Sequence, residues 1–244
     1  MFKQMLEDAR SIAQRDPAAK NCFEVVLLYP GFHAVCFHRL SSWFYKNEMF
    51  FIARMISQIA RFFTGVEIHP GAVIGKGLFI DHGMGVVIGE TAEIGDNCTI
   101  YHNVTLGGTG KDTGKRHPTV GNNVLISTGA KILGPFKVGD NSRIGANAVV
   151  LTEVEPNTTV VGVPGRAVKR GDQRVQSIEL DQVHIPDPVA QELCKILYRI
   201  ENLENHVAKE HGIKIDETMK QMPRDIFERE CEKKVKEGED DENL

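Results

Sequence analysis

The sequence predicts an α+β chain: an N-terminal helical cap, then a parallel β-helix of hexapeptide repeats, then a C-terminal tail carrying one helix. Three observations carry this. An aliphatic residue returns at almost every sixth position between Ile68 and Val150. Residues 1–65 instead space their apolar side chains at helical intervals. Beyond the repeats, a last apolar stripe steps by fours and threes before a charged end. The expected domains are therefore a cap over 1–65, a β-helix over 66–165 and an extension over 166–244.

In the cap, Met5, Leu6, Ala9 and Ile12 share one helical face, and a second run extends from about Phe32 to Phe63. Asp16-Pro17 and Pro30-Gly31 punctuate the segment, which reads as three helices. Helices at the end of a solenoid cover an open edge that otherwise invites aggregation.

The repeat runs through Ile68, Ile74 and Ile80, then Ile88, Ile94, Ile100 and Leu106, then Val120, Ile126, Ile132, Val138, Ile144 and Val150. Neither helical spacing nor alternation explains a period of six, whereas a β-helix with three sides and about 18 residues per coil does. Thirteen such units make a stack on the order of 20 Å tall at strand spacing. Gly75, Gly89, Gly95, Gly107, Gly121, Gly139 and Gly145 follow the aliphatic residue. A glycine at a corner tolerates φ > 0, the expected reason for its presence there. Two steps break the period: eight residues from Ile80 and fourteen from Leu106 to Val120. A tight coil has no room for the second, so residues 107–118 are expected to project as a loop, where function concentrates.

The coil is expected to end near Gly162-Val163-Pro164-Gly165-Arg166. Further on, Val189, Leu193, Ile196, Ile200, Leu203 and Val207 form an a/d seam. It has two readings, a short coiled coil or packing on the chain's own solenoid. Glu232 to Leu244 is a charged run with the composition of a disordered tail.

Composition narrows the function. At 244 residues, 41% hydrophobic and net charge −4, the chain reads as a soluble protein without a nucleic-acid footprint. No apolar run is long enough to span a bilayer, and Met1-Phe2-Lys3-Gln4 opens no signal peptide. Cys22, Cys36, Cys98, Cys194 and Cys231 are scattered and odd in number, which points to reduced thiols in a cytoplasm.

Asp81-His82 lies on the one stretched side of the coil, so His82 stands where the backbone bulges. Coil arithmetic stacks His102 near it and puts Glu67 on the same face one coil earlier. A carboxylate accepting an imidazole N–H fixes the tautomer and leaves the other nitrogen free as a base. An exposed histidine without a role is the plainer alternative. His69, His82, His102 and His117 raise a metal reading, but none is spaced from another like a ligand pair, and His33 and His38 fall in the cap. No metal is expected. Arg116-His117, read as the tip of the loop, offers donors for a carboxylate or phosphate. Gly107-Gly108-Thr109-Gly110 offers unobstructed backbone N–H groups for an anion or oxyanion.

Laid out together, these stretches resemble the serine acetyltransferase family. The resemblance rests on Arg15-Asp16-Pro17-Ala18, Gly31-Phe32-His33-Ala34, Ile68-His69-Pro70-Gly71-Ala72 and Asp81-His82-Gly83-Met84-Gly85-Val86-Val87-Ile88-Gly89-Glu90-Thr91. It continues through Thr105-Leu106-Gly107-Gly108-Thr109-Gly110-Lys111, Arg116-His117-Pro118, Gly129-Ala130-Lys131-Ile132-Leu133-Gly134 and Gly162-Val163-Pro164. The matches run in order from about residue 11 to 170. The hexapeptide repeat alone marks only a broad acyltransferase superfamily; the Asp-His side, the Gly-Gly-Thr-Gly loop and Arg-His-Pro together are specific.

The resemblance implies a left-handed β-helix, against the usual right-handed crossover. It implies transfer of acetyl from acetyl-CoA to the L-serine hydroxyl, giving O-acetyl-L-serine and CoA on the way to cysteine. His82 would be the general base and Glu67, Asp in many relatives, the acid that orients it. Asp16 and Asp81 match positions that hold the serine ammonium, and Arg116 and His117 those that hold its carboxylate and hydroxyl. Gly108, Thr109, Thr128, Arg143 and Ala146 match a CoA groove between subunits, with Thr128 replacing an Ala of some relatives. A homotrimer is implied, while the short segment before Arg15 leaves open whether two trimers join. L-cysteine is the implied feedback inhibitor. The end at Asn243-Leu244, where some relatives have Ile, leaves a complex with O-acetylserine sulfhydrylase open. The alternatives are homoserine or another hydroxyl acceptor, a zinc hydrase, and a trimeric scaffold without activity.

Overall fold

The structure, a computed structural model, describes residues 2–108, 110 and 113–170, together with Ile196, Arg199, Ile200, Leu203, His206 and Val207. The chain divides into two compact units, residues 1–185 and 186–244. In the second unit the six described positions are all helical. Val189, Leu193 and the charged tail lie outside the described residues, as does Thr109. Among the described residues no helix is long and apolar enough to cross a membrane.

The first unit opens with four helices rather than three: α1 (Phe2–Arg15), α2 (Cys22–Leu28), α3 (Pro30–Lys46) and α4 (Phe50–Thr64). The extra one, α2, is a short helix between the two punctuation points. Asn21 caps it by accepting from the Glu24 N–H at 2.9 Å, and the Glu24 carboxylate reaches back to the Lys20 N–H at 3.0 Å. Pro17 bars α1 from continuing, and Pro30 opens α3, where its missing N–H costs nothing. Gly65, at φ 70°, ends α4 in the left-handed region.

Short strands follow in order: β1 (Glu67–Ile68), β2 (Val73–Ile74), β3 (Phe79–Ile80), β4 (Val87–Ile88), β5 (Glu93–Ile94), β6 (Thr99–Ile100) and β7 (Thr105–Gly107). Then come β8 (Thr119–Val120), β9 (Leu125–Ile126), β10 (Lys131–Leu133), β11 (Lys137–Val138), β12 (Arg143–Ile144), β13 (Val149–Val150), β14 (Thr158–Val161) and β15 (Arg166–Arg170). Every third strand pairs in parallel, which makes the three walls of a prism. One wall is β1-β4-β7-β10-β13, the second β2-β5-β8-β11, and the third begins β3-β6-β9-β12-β14. The chain does not leave the prism at once: β15 folds back antiparallel on β14.

Twelve of the thirteen repeat positions are buried, and Ile74 packs against the same core. Each aliphatic side chain taken from water contributes roughly 1.5–3 kcal/mol, so stacking coils, not any single coil, holds the prism. Ala34 and Val35 of α3 join this core and close its first coil. A second core ties the helices to one wall: Ala9, Ile12, Val25 and Phe32 surround the outward-facing Phe79. Gly31 lets α3 approach that wall, since a Cβ there would stand 2.0 Å from the Ile80 carbonyl oxygen. Gly31→Ala is therefore expected to cost at least about 2 kcal/mol, read as a lower melting temperature. An unchanged melt would show that α3 has room to move.

The corners correct one expectation. None of the glycines that follow the aliphatic positions has positive φ. Gly75, Gly95, Gly121 and Gly139 are required because the backbone of the next coil comes too close for a side chain. A Cβ on Gly95 would lie 2.7 Å from the Gly121 backbone, and one on Gly139 2.4 Å from the Pro156 nitrogen. Positive φ falls instead on Gly77, Gly85 and Gly129 and on Asn97, Asn103, Asn123, Asn141, Asn147 and Asn157. Asparagine tolerates that region because its side chain bonds locally, and here Asn123, Asn141 and Asn157 link coil to coil at 3.1 and 3.2 Å.

Candidate active site

Among the described residues of the coils, His82 is the one, neither Gly nor Asn, held at positive φ, at 58°. It sits in the turn from β3 to β4, where Gly83 and Gly85 share the left-handed conformation. Strain of this kind, of order 1–3 kcal/mol, persists only where the surroundings impose it, and it gathers at functional sites. The His82 side chain is largely exposed, and its Nε2 lies 3.8 Å from Asp81 Oδ1. As coil arithmetic required, the His102 ring stacks edge-on at 5.7 Å between centroids.

Around this turn the structure gathers acid. Asp16, just past α1, accepts from the Ala18 N–H at 2.8 Å and from the Tyr29 hydroxyl at 2.6 Å. Burial raises the Asp81 carboxyl above its usual range; the His82 ring opposes that, and the nearby Asp16 charge adds to it. Burial likewise raises the Tyr29 phenol, with Asp16 reinforcing it. Two carboxylates that repel each other form a site for a cation. Glu67, by contrast, gives its carboxylate to Arg61 at 3.2 Å, with Arg54 at 4.0 Å. It makes no hydrogen bond to His82 within the chain.

Arg116 and His117 occupy a different corner, the turn into β8, with β4 and β7 lying between it and the His82 edge. They are at the root of the long loop rather than its tip. Gly110 and Gly114 project, with no neighbouring atom within 4 Å of a Cβ position, while His117 is buried. Thr91, one coil earlier on this corner, is the hub. Its hydroxyl accepts the backbone N–H groups of Arg116 and His117 at 3.0 and 3.1 Å and meets His117 Nδ1 at 2.9 Å. Because the Thr91 N–H also points at Nδ1, at 3.1 Å, that nitrogen is the acceptor and the proton belongs on Nε2. Burial, then the Arg116 charge, lowers the His117 pKa, which favours this neutral form. The Arg116 guanidinium donates to Glu90, whose other oxygen accepts from the Tyr45 hydroxyl at 3.0 Å. The Arg116 hydrogen bond holds the Glu90 carboxyl below its usual range.

The positions matched to a CoA groove divide between the two edges. Thr128 and Ala146 continue the His82–His102 column, and Thr128 Oγ1 lies 2.7 Å from His102 Nε2. Arg143 opens β12 on the wall leading to that edge, and Gly108 stands at the loop root against Arg116. An edge of small and hydroxyl side chains suits an extended polar chain. Two further histidines have structural partners: His33 Nε2 meets the Val26 carbonyl at 2.7 Å, and His69 Nδ1 accepts from Gly71 at 3.1 Å. His38 is buried, its pKa lowered to about 4 by desolvation. Among the described residues no three His, Cys, Asp or Glu side chains converge as metal ligands.

Tyr29, Glu90 and Thr91 were given no role from the sequence. Glu90 and Thr91 stood in the resembling stretch, and the pairing of Glu93 with Thr119 is what brings them under Arg116 and His117. The loop between hides that pairing from any count of sixes.

A hexapeptide prism with an imidazole on one edge and anion donors on another defines an acyltransferase of the hexapeptide-repeat class. Residues 117–152 match the family described as bacterial transferase hexapeptide (six repeats). The chain is 54% identical over 207 residues to the serine acetyltransferase of Synechococcus elongatus, covering 85% of this chain and 84% of that one. It is 51% identical over 207 residues to that of Bacillus pumilus, covering 85% and 95%. The chain belongs to the serine acetyltransferase family, enzymes that acetylate the L-serine hydroxyl from acetyl-CoA in the first step of cysteine biosynthesis. Solved relatives agree, and with them the fold is a left-handed parallel β-helix. The Neisseria gonorrhoeae serine acetyltransferase in complex with serine superposes with TM-score 0.67 at 41% identity, covering 69% of each chain. A serine acetyltransferase in complex with cysteine gives 0.73 at 37%, covering 75% and 72%. The Brucella abortus enzyme in complex with coenzyme A gives 0.67 at 45%, covering 68% and 67%.

Proposed function

We propose that this chain acetylates L-serine in a cleft between two copies of itself, with His82 as general base. The carrying observation is the separation of the charged walls. Serine is a zwitterion; Asp16 and Asp81 suit its ammonium, while Arg116 and the Nε2–H of His117 suit its carboxylate and hydroxyl. Those walls stand on different corners of one prism, and serine is too small to bridge them. The edge of a second copy supplies one of them in this reading, and repeating that contact around a threefold axis parallel to the prisms closes a trimer. Thr128, Ala146 and Arg143 from one edge, with Gly108 from the other, line the same cleft for acetyl-CoA.

In the reaction, His82 takes the hydroxyl proton as the serine oxygen bonds to the thioester carbon. The carbon–sulfur bond breaks, and His82 returns the proton to the thiolate, leaving O-acetylserine and CoA. A backbone N–H of Gly107 or Gly108 serves the carbonyl oxygen as charge develops there. Glu67 is the orienting acid in this reading. Its place beside the turn supports it: Val66 abuts the Gly83 position, and the Glu67 N–H donates to Val86 at 2.9 Å. The carboxylate must leave Arg61 to serve, and Glu67→Gln tests this. A kcat about tenfold lower with KM unchanged supports the role; an unchanged kcat passes it to Asp81.

L-cysteine keeps the ammonium and carboxylate of serine, so the same walls suit it as a competing inhibitor. The free thiols of Cys22, Cys36 and Cys98 suit a cytoplasmic protein. The working division is a helical cap over 1–65, the catalytic prism over 66–165 and an extension over 166–244. A thiol-release assay with and without L-serine tests the reaction itself. Arg116→Ala is expected to raise the KM for serine about tenfold or more, because one charged hydrogen bond contributes about 1.5–3 kcal/mol. An unaltered KM would place the serine carboxylate elsewhere.

A further inference from the structure

We propose that Thr91 is a positioning residue: its single hydroxyl seats Arg116 and His117 as one unit and commits His117 to donating from Nε2. The long loop leaves β7 and must re-enter the prism in register at β8. The backbone ladder with the preceding coil resumes where the Glu93 N–H donates to the Pro118 carbonyl at 3.1 Å. The three residues before Pro118 all bond to Thr91 instead. The Lys115 ammonium donates to its carbonyl at 2.7 Å, and the N–H groups of Arg116 and His117 donate to its hydroxyl at 3.0 and 3.1 Å.

A hydroxyl has one proton and two lone pairs to offer. Those backbone N–H groups take both lone pairs, so the proton goes to His117 Nδ1 at 2.9 Å. Nδ1 also accepts from the Thr91 N–H at 3.1 Å. A proton on that nitrogen would face two donors, which leaves the Nε2–H tautomer. Among the described residues Nε2 has no hydrogen-bond partner, as a donor reserved for a bound molecule requires. Gly89 makes room for this ring, since a Cβ there would stand 2.0 Å from both Cδ2 and Nε2 of His117. That the donor serves an acceptor hydroxyl rests on placing serine at this corner; the hold of Thr91 on His117 does not.

Magnetic resonance of the full-length protein carrying nitrogen-labelled histidine tests this, with His117 assigned from the signal lost in His117→Gln. The parent is expected to show the Nε2–H form; an Nδ1–H parent would overturn the proposal without any variant. Thr91→Val keeps the backbone N–H and removes the hydroxyl. It is expected to show a mixture of tautomers and to lower kcat/KM for serine about tenfold or more, the worth of one hydrogen bond. Thr91→Ser restores the hydroxyl and is expected to recover most of both. A parent-like His117 spectrum in Thr91→Val would overturn the proposal. So would a Thr91→Ser as defective as Thr91→Val, since the methyl group would then be what matters. A mixed spectrum with unaltered serine kinetics would uphold the hold of Thr91 on His117 and remove serine from this corner, so the two readings fail separately.

Discussion

His82→Asn is expected to lower turnover at least about a hundredfold, the lower end of what a positioned acid–base group contributes, while the protein melts within about two degrees of the parent. Asparagine is the informative replacement because it occupies six other positive-φ positions of the coils. It accepts the strained turn and removes only the titrating nitrogen. His82→Ala removes the base too, but it adds a backbone penalty of about 1–2 kcal/mol at φ 58°, which confuses stability with chemistry. Measured kcat with an unchanged melt separates the two. Turnover at the parent level in the Asn variant would strip His82 of its role, and the Asp16–Asp81 cluster would then be a cation site without a base beside it.

The other large effect concerns folding. Arg15→Met is expected to destabilise the chain by about 3–5 kcal/mol, or on the order of 10 °C in melting temperature. Arg15 is buried at the end of α1 with 8% exposure. Its guanidinium donates to the carbonyls of Gly77, Asn97 and Cys98 and to the Thr99 hydroxyl, and it stacks over Phe79 with 5.6 Å to the ring centroid. Desolvation lowers its pKa to about 10, still well above neutrality. Methionine fills the space but leaves turn carbonyls of two successive coils without their donor. Asp16 is the next residue, so the KM for serine should rise with the loss of stability. A melting shift below about two degrees would mean that water replaces the guanidinium at no cost.

Much of this was legible from spacing. The period of six located every strand from β1 to β13, and the eight-residue step located the strained turn that carries His82. Coil arithmetic paired His82 with His102 because β3 to β4 and β6 to β7 turn at the same corner. Other features were opaque for identifiable reasons. The corner glycines looked like positive-φ residues, yet what Gly75, Gly95, Gly121 and Gly139 meet is the next coil's backbone, a contact absent from any single hexapeptide. Arg116 and His117 read as a loop tip because a fourteen-residue excursion gives no hint of where it returns. Thr91 and Glu90 gained their roles only when that return was known.

The sequence by itself determined the prism and its helical cap, and it singled out the side chains proposed to react. Those follow from local rules: inward aliphatics at fixed intervals, small residues where coils approach, helical spacing before them. The tertiary structure decided which charges meet. It set Tyr29 on Asp16, Glu90 on Arg116, Thr91 on His117 and Arg61 on Glu67, and it put the Asp16–Asp81 pair and the Arg116–His117 pair on separate edges. Electrostatic and hydrogen-bonding partners are chosen by distances of a few ångströms between residues tens of positions apart. No periodicity along one chain encodes those distances.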